Sequence, residues 1–317
     1  MTKTAVILFN LGGPDSLDAV RPFLYNLFSD KAIIGLPAPL RQMIAWTIAQ
    51  RREAVARDIY ARIGGSSPLL GQTRSQAVAL QDALGQGFQC FIAMRYWHPL
   101  TAKCAEAVAL WKPDRIVLLP LYPQRSTTTT DSSLAAWARA REKAGITAPE
   151  SAIFAYPDLP GLVSAQAALI VPLLDEAGPG ARLLLSAHGL PKRIVERGDD
   201  YPRQVEQTAH AVIEKLDRPG LDWRVCYQSR VGPLEWIGPY TDTEIKRAGG
   251  EGKALVVAPI AFVSEHSETL VELDMDYGRL AAEAGVKTYL RAPAVGTHPD
   301  FIAGLAGLVR AAVEARS

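Results

Sequence analysis

One recurring pattern constrains this chain more than any other. Short apolar runs rich in branched residues each end in a polar loop, and an amphipathic stretch of helical period follows. Strands are expected at Ala5–Asn10, Phe88–Tyr96, Arg115–Leu121, Ala152–Tyr156, Arg182–Ala187, Arg224–Gln228, Ala254–Ala261 and Lys287–Leu290. Helices are expected at Ser133–Ala144, Leu162–Glu176, Arg203–Leu216 and Glu268–Ala284. Such alternation means parallel sheets covered by helices on both faces. Eight strands divide into two sheets of four, with the break at Pro157–Gly161. The chain therefore reads as an α/β fold of two domains, 1–157 with 299–317 and 158–298, the final helix Phe301–Ala315 folding back onto the first.

Composition narrows the function classes. Lys and Arg total 34 against 33 Asp and Glu, a balance that argues against a general nucleic-acid binder. Cys90, Cys104 and Cys226 are odd in number and lack metal-ligand spacing, so a reducing, intracellular home is the default. The N-terminal apolar run is too short and too quickly broken for a signal peptide, and no stretch is long enough to span a bilayer.

The connection Leu11–Gly87 departs from the pattern, being far longer than an ordinary crossover. It contains Ile33–Leu40 and a basic helix at Arg41–Arg62, closed by Gly64-Gly65 as a C-cap. Met43, Ile44, Trp46 and Ile48 crowd the first half of that helix, and Arg51, Arg52, Arg57 and Arg62 the second. It is either a helical insertion with a core stripe or a lip over a large flat apolar ligand, touching a membrane surface.

Ligands of open α/β sheets bind beyond the carboxyl ends of the strands. The richest such end is Ala258–Tyr277. There an apolar strand meets Ser264–Ser267, and Glu268, Glu272 and Asp276 then recur every four residues on one helix face. With His266 two residues ahead of Glu268, this cluster could hold a divalent metal, pass protons, or be a solvated acidic face. His188, at the end of another strand and followed by Gly189-Leu190-Pro191, is placed as a base or ligand or as a hydrogen-bonded structural histidine. Arg95 and Tyr96, Tyr122 to Thr130, and Tyr227 to Pro233 occupy other strand ends, and Gly12-Gly13 reads as a tight turn.

Several stretches taken together carry a resemblance. They are NLGGPDS at Asn10–Ser16, RIGGSSPL at Arg62–Leu69, RYWHPLT at Arg95–Thr101, YPQ and SSL within Tyr122–Leu134, SAHGLP at Ser186–Pro191, YQSRVGPLEWIGPYTD at Tyr227–Asp242 and PIAFVSEHSETLVELD at Pro259–Asp274. In this order they resemble the ferrochelatase family, enzymes that insert iron into protoporphyrin, along essentially the whole chain.

The resemblance implies two Rossmann-like domains of the chelatase type with the porphyrin held in the cleft between them. It implies insertion of Fe²⁺ into protoporphyrin IX to give protohaem, the terminal step of haem biosynthesis. His188 and Glu268 would be the principal metal- and proton-handling residues, with His266, Glu272 and Asp276 as the polar path behind them. Arg62 would bind a propionate and Leu11 would lie against the macrocycle, with Arg95 and Tyr96 as further porphyrin contacts. Iron is then a substrate and no cofactor is tightly bound. Thr127 stands near where Fe–S members of the family place a cysteine, and no cysteine follows Cys226, so no cluster is expected.

The expected partners are protoporphyrin IX and Fe²⁺, without nucleic acid, in the cytoplasm with peripheral membrane contact through the lip. His188 on one side of the ring and Glu268 on the other would suit a base and a metal donor. An apolar lip favours the vinyl groups of protoporphyrin over the extra carboxylates of coproporphyrin. The alternatives are a chelatase for coproporphyrin or another tetrapyrrole, a non-catalytic tetrapyrrole or metal carrier, and a metallohydrolase with His188, His266 and Glu268 as fixed zinc ligands.

Overall fold

All strand pairing in this computed structural model is parallel, in two four-stranded sheets. Residues 2–315 are described; Met1, Arg316 and Ser317, the outer ends of the expected first domain, lie outside the described residues. The chain divides into two units, one comprising everything up to Ala155 and from Leu305 onward, the other Tyr156–Gly304.

In the first unit the order is β1 (Thr4–Asn10), α1 (Val20–Phe28), α2 (Ala38–Ala61), α3 (Leu69–Leu84), β2 (Phe88–Met94), α4 (Thr101–Trp111), β3 (Arg115–Pro120), α5 (Thr130–Lys143) and β4 (Glu150–Ala152). Its sheet runs β2-β1-β3-β4. All seven residues of β1 are buried, as a central strand covered on both faces requires. β4 falls earlier than the expected Ala152–Tyr156. Only Glu150–Ala152 pair with β3, one further bond joins Ile153 N–H to the Leu118 carbonyl, and the chain then leaves the sheet edge.

The second unit follows with α6 (Pro160–Ala177), β5 (Arg182–His188), α7 (Lys192–Val195), α8 (Tyr201–Leu216), β6 (Asp222–Gln228), α9 (Thr241–Gly250) and β7 (Leu255–Pro259). Beyond β7 come a π-helix (Glu268–Asp276), α10 (Tyr277–Glu283), β8 (Tyr289–Arg291) and α11 (Pro299–Glu314), which belongs to the first unit from Leu305 onward. The sheet order β6-β5-β7-β8 repeats that of the first unit. Period-2 alternation sends Leu183, Leu185, Val256 and Ala258 into a core with α6 and α8. Leu184, Leu255 and Val257 pack oppositely against Ile245, Leu273 and Ala281. Each fully buried Leu or Val contributes about 1.5–3 kcal/mol, so Leu273 anchors the π-helix firmly to β5 and β7.

Two expectations change in shape. The carboxylate-bearing segment is not one α-helix over Glu268–Ala284; its first nine residues form the π-helix, whose i→i+5 bonds widen the turn before α10 begins. In α2 the small residues Ala45 and Ala49 are buried, whereas Leu40, Met43 and Trp46 are exposed, together with Leu36 just before it. The helix therefore turns Leu40, Met43 and Trp46 outward, while Ala45, Ala49 and Tyr60 face the core.

Candidate active site

The strand order fixes where a site belongs in the second unit. From β5 the chain moves to β6 on one side and later to β7 on the other, so the crevice between the carboxyl ends of β5 and β7 is the topological switch point. His188 is the last residue of β5, and the segment after β7 leads through His266 into Glu268.

These three side chains meet. His188 Nδ1 bonds the Gly189 carbonyl at 2.6 Å, which leaves Nε2 facing Glu268 Oε1 at 3.6 Å. The other oxygen, Oε2, takes His266 Nε2 at 3.3 Å. Gly189 makes the close approach possible, since a Cβ there would lie 3.1 Å from the Gln228 carbonyl oxygen and 3.2 Å from the Trp236 ring. Each carboxylate oxygen serves one imidazole.

Electrostatics follows the contacts. Burial works against a charge on His188, but Glu268 outweighs it and the imidazole is pushed up to about 9. Burial likewise works against Glu268, yet the two imidazoles hold its carboxyl well below the usual range. At neutral pH the resting pair is imidazolium and carboxylate. About a third of each side chain remains open to solvent, so the pair is reachable.

Glu272 stands behind Glu268 with its carboxylate saturated. Ser229 donates its N–H at 2.9 Å and also its hydroxyl, Gln228 Nε2 donates at 3.1 Å, and Tyr277 donates its hydroxyl at 3.0 Å. Ser229 adopts φ 67°, a left-handed conformation that a non-glycine residue holds only when its surroundings compel it, at a cost on the order of 1–3 kcal/mol. Its two bonds to Glu272 supply that compulsion. Burial and then Glu268 push the Glu272 carboxyl up. Asp276, at the far end of the π-helix, pairs with Arg279 at 3.5 Å.

In the first unit Leu11 follows β1 and packs partly buried against Tyr96 and its neighbours. Arg62 is exposed at the C-cap of α2. Tyr96 is 1% exposed and gives its hydroxyl to Asp30 at 2.8 Å, so it is an internal residue. Arg95 donates to Asp30 at 2.8 Å and to Ser132 at 2.7 Å, holding Asp30 in place. Its guanidinium nevertheless borders an open cavity of about 240 Å³ lined by Asn26, Ser29, Asp30, Arg95 and Leu100.

Residues 3–313 match the family model described as ferrochelatase. The chain is 55% identical over 318 residues to a ferrochelatase of Caulobacter vibrioides, covering 98% of this chain and 90% of that one. The chain belongs to the ferrochelatase family. A ferrochelatase of Wolbachia, from the strain of Drosophila simulans, is 46% identical over 313 residues, covering 96% and 98% of the two chains. Among solved structures, SirB from Bacillus subtilis with Fe³⁺ superposes with a TM-score of 0.55 at 14% identity, covering 98% of this chain and 96% of that one. CbiX, the terminal enzyme for biosynthesis of siroheme in denitrifying bacteria, gives 0.50 at 16% identity, with 98% of each chain covered. At such identities these two show the fold alone, the two-domain Rossmann-like chelatase architecture.

For a member of the ferrochelatase family, the contact between His188 and Glu268 corrects one expectation. A flat ring needs about 3.5–4.0 Å to an atom on each face, so groups 3.6 Å apart do not flank it from opposite sides. Sequence reasoning also missed Glu265, Asp274, Tyr277 and Arg291.

Proposed function

We propose that this chain inserts Fe²⁺ into protoporphyrin IX to form protohaem, closing haem biosynthesis, with His188 and Glu268 handling metal and protons. The observation that carries this reading is the run His188–Glu268–His266 at the switch point, backed by Glu272. The reaction replaces two pyrrole protons by the metal and releases both protons. His188 rests protonated, so it must pass its proton on before it accepts one from a pyrrole or binds iron through Nε2. Glu268 stays a carboxylate beside it, and Glu272, whose carboxyl is pushed up, is the nearby carboxyl group suited to hold a proton. Imidazole and carboxylate form a borderline donor set, suited to taking Fe²⁺ and giving it up.

The outward apolar face of the lip suits protoporphyrin. Arg41 spends its donors on the carbonyls of Ser29 and Leu36, Arg57 on Leu17 and Asp18, and Arg52 lies over the Phe28 ring. These cations are committed within the protein, and an unpaired extra carboxylate of coproporphyrin costs several kcal/mol, on the order of 3–5, to bury. The same exposed Leu36, Leu40, Met43 and Trp46 support peripheral contact with a membrane from the cytoplasmic side. Among the described residues no helix is long and apolar enough to cross one. Anaerobic steady-state kinetics with Fe²⁺ and each porphyrin tests this: protohaem forms with the higher kcat/KM, and faster turnover of coproporphyrin would contradict the reading of the lip.

A further inference from the structure

A π-helix is a rare conformation, found mostly at functional sites, and it needs support from outside its own hydrogen bonds. Here support comes from two sides. At its start, Gln228 from the end of β6 donates Nε2 to the Glu268 carbonyl at 3.2 Å. Toward its end the support comes from β8, a strand of three residues at the edge of the sheet. Tyr289 donates its hydroxyl to the Leu273 carbonyl at 2.6 Å. Arg291, 10% exposed, grips Asp274 with two parallel bonds, Nε at 2.6 Å and Nη2 at 2.7 Å. Its third nitrogen, Nη1, donates to Glu265 Oε1 at 2.7 Å, and that oxygen also accepts the Ala294 N–H at 2.9 Å.

Glu265 immediately precedes His266, and Asp274 lies two residues beyond Glu272. One guanidinium therefore ties the chain on both sides of the segment that carries His266, Glu268 and Glu272. The planar fork makes the tie directional, which a lysine ammonium would not reproduce.

We infer that Arg291, assisted by Tyr289, is a positioning residue that sets the spacing of His266, Glu268 and Glu272 for metal handling. The inference rests on the chelatase reading of that cluster. Neither side chain touches the reacting atoms; both act through the π-helix. Losing a partner of this outer kind typically weakens metal affinity or activity roughly ten- to a hundredfold.

The test is anaerobic kinetics of the full chain with Fe²⁺ and protoporphyrin, separating the KM for iron from that for porphyrin. In Arg291→Gln the iron KM should rise about tenfold or more with the porphyrin KM unchanged, and Arg291→Lys should recover only part of the loss. Tyr289→Phe, which removes one hydrogen bond and leaves the ion pairs, should raise the iron KM roughly two- to tenfold. It decides the matter if Arg291→Gln fails to fold. A merely structural role would lower the thermal midpoint and the active fraction while leaving the iron KM unmoved, and that result overturns the inference while wild-type turnover sustains the chelatase reading. A wild-type chain without turnover would overturn both.

Discussion

Glu268 and Glu272 lie four residues apart on one π-helix, yet their surroundings push their acidities in opposite directions. Two imidazoles hold Glu268 as a carboxylate, whereas burial and the charge of Glu268 move Glu272 toward its protonated form. Opposed shifts of this kind are how neighbouring carboxyl groups come to differ in protonation.

Substitutions along the π-helix should accordingly show a gradient. Glu268→Gln should lower kcat/KM for iron roughly a hundredfold or more, the scale of a lost acid–base or ligand group. Glu272→Gln should lower kcat with little change in the iron KM. Asp276→Asn, whose carboxylate pairs with Arg279 near the surface, should stay within about fivefold of wild type. Equal losses at Glu268 and Asp276, measured at saturating porphyrin, would argue for a shared relay.

The charge on His188 predicts a pH dependence. Its imidazole is raised to about 9 by Glu268, so the resting pair stabilises the metal-free fold below the ordinary histidine range and loses that contribution as pH rises through about 9. Iron must displace the same proton, so kcat/KM for iron should increase with pH toward about 9. In Glu268→Gln the limb should move to lower pH, because the partner that held the proton is gone. A limb that stays in place in this variant would assign the titration to another group.

Much of this was legible in advance, and the exceptions are instructive. The eight strands announced themselves as short apolar runs followed by helical patterns, and the strand ends pointed to His188 and Glu268. The π-helix did not, because carboxylates every four residues satisfy an α-helix equally well and the widening leaves no mark on residue type. Tyr96 stands at a strand end, and the claim of Asp30, far away in sequence, on its hydroxyl was not legible. Arg291 was invisible for the same reason: its partners Glu265 and Asp274 become neighbours only once β8 pairs with β7.

Arg62 should matter to porphyrin and not to iron. Removing its charge in Arg62→Ala costs about 1.5–3 kcal/mol if it holds a propionate, which raises the porphyrin KM roughly ten- to a hundredfold. The KM for iron should be unchanged. An unmoved porphyrin KM would return Arg62 to an ordinary surface role.

The lip should bind a lipid surface through its apolar side chains. Trp46 and Met43 are each more than half exposed on one stretch of α2. Trp46→Glu should weaken co-sedimentation with phosphatidylserine-containing vesicles about tenfold or more, since a buried aromatic side chain contributes about 1.5–3 kcal/mol. Equal binding of both forms would show that the lip faces water.

Most direct of all is the initial rate of protohaem formation from Fe²⁺ and protoporphyrin under anaerobic conditions, compared between wild type and His188→Ala with matched circular dichroism and thermal midpoints. His188 is the one histidine on β5 and its Nε2 faces Glu268, so the variant should lose roughly a hundredfold or more of the wild-type rate while remaining folded. A folded His188→Ala protein that keeps most of its activity would contradict the assignment of the chemistry to this pair.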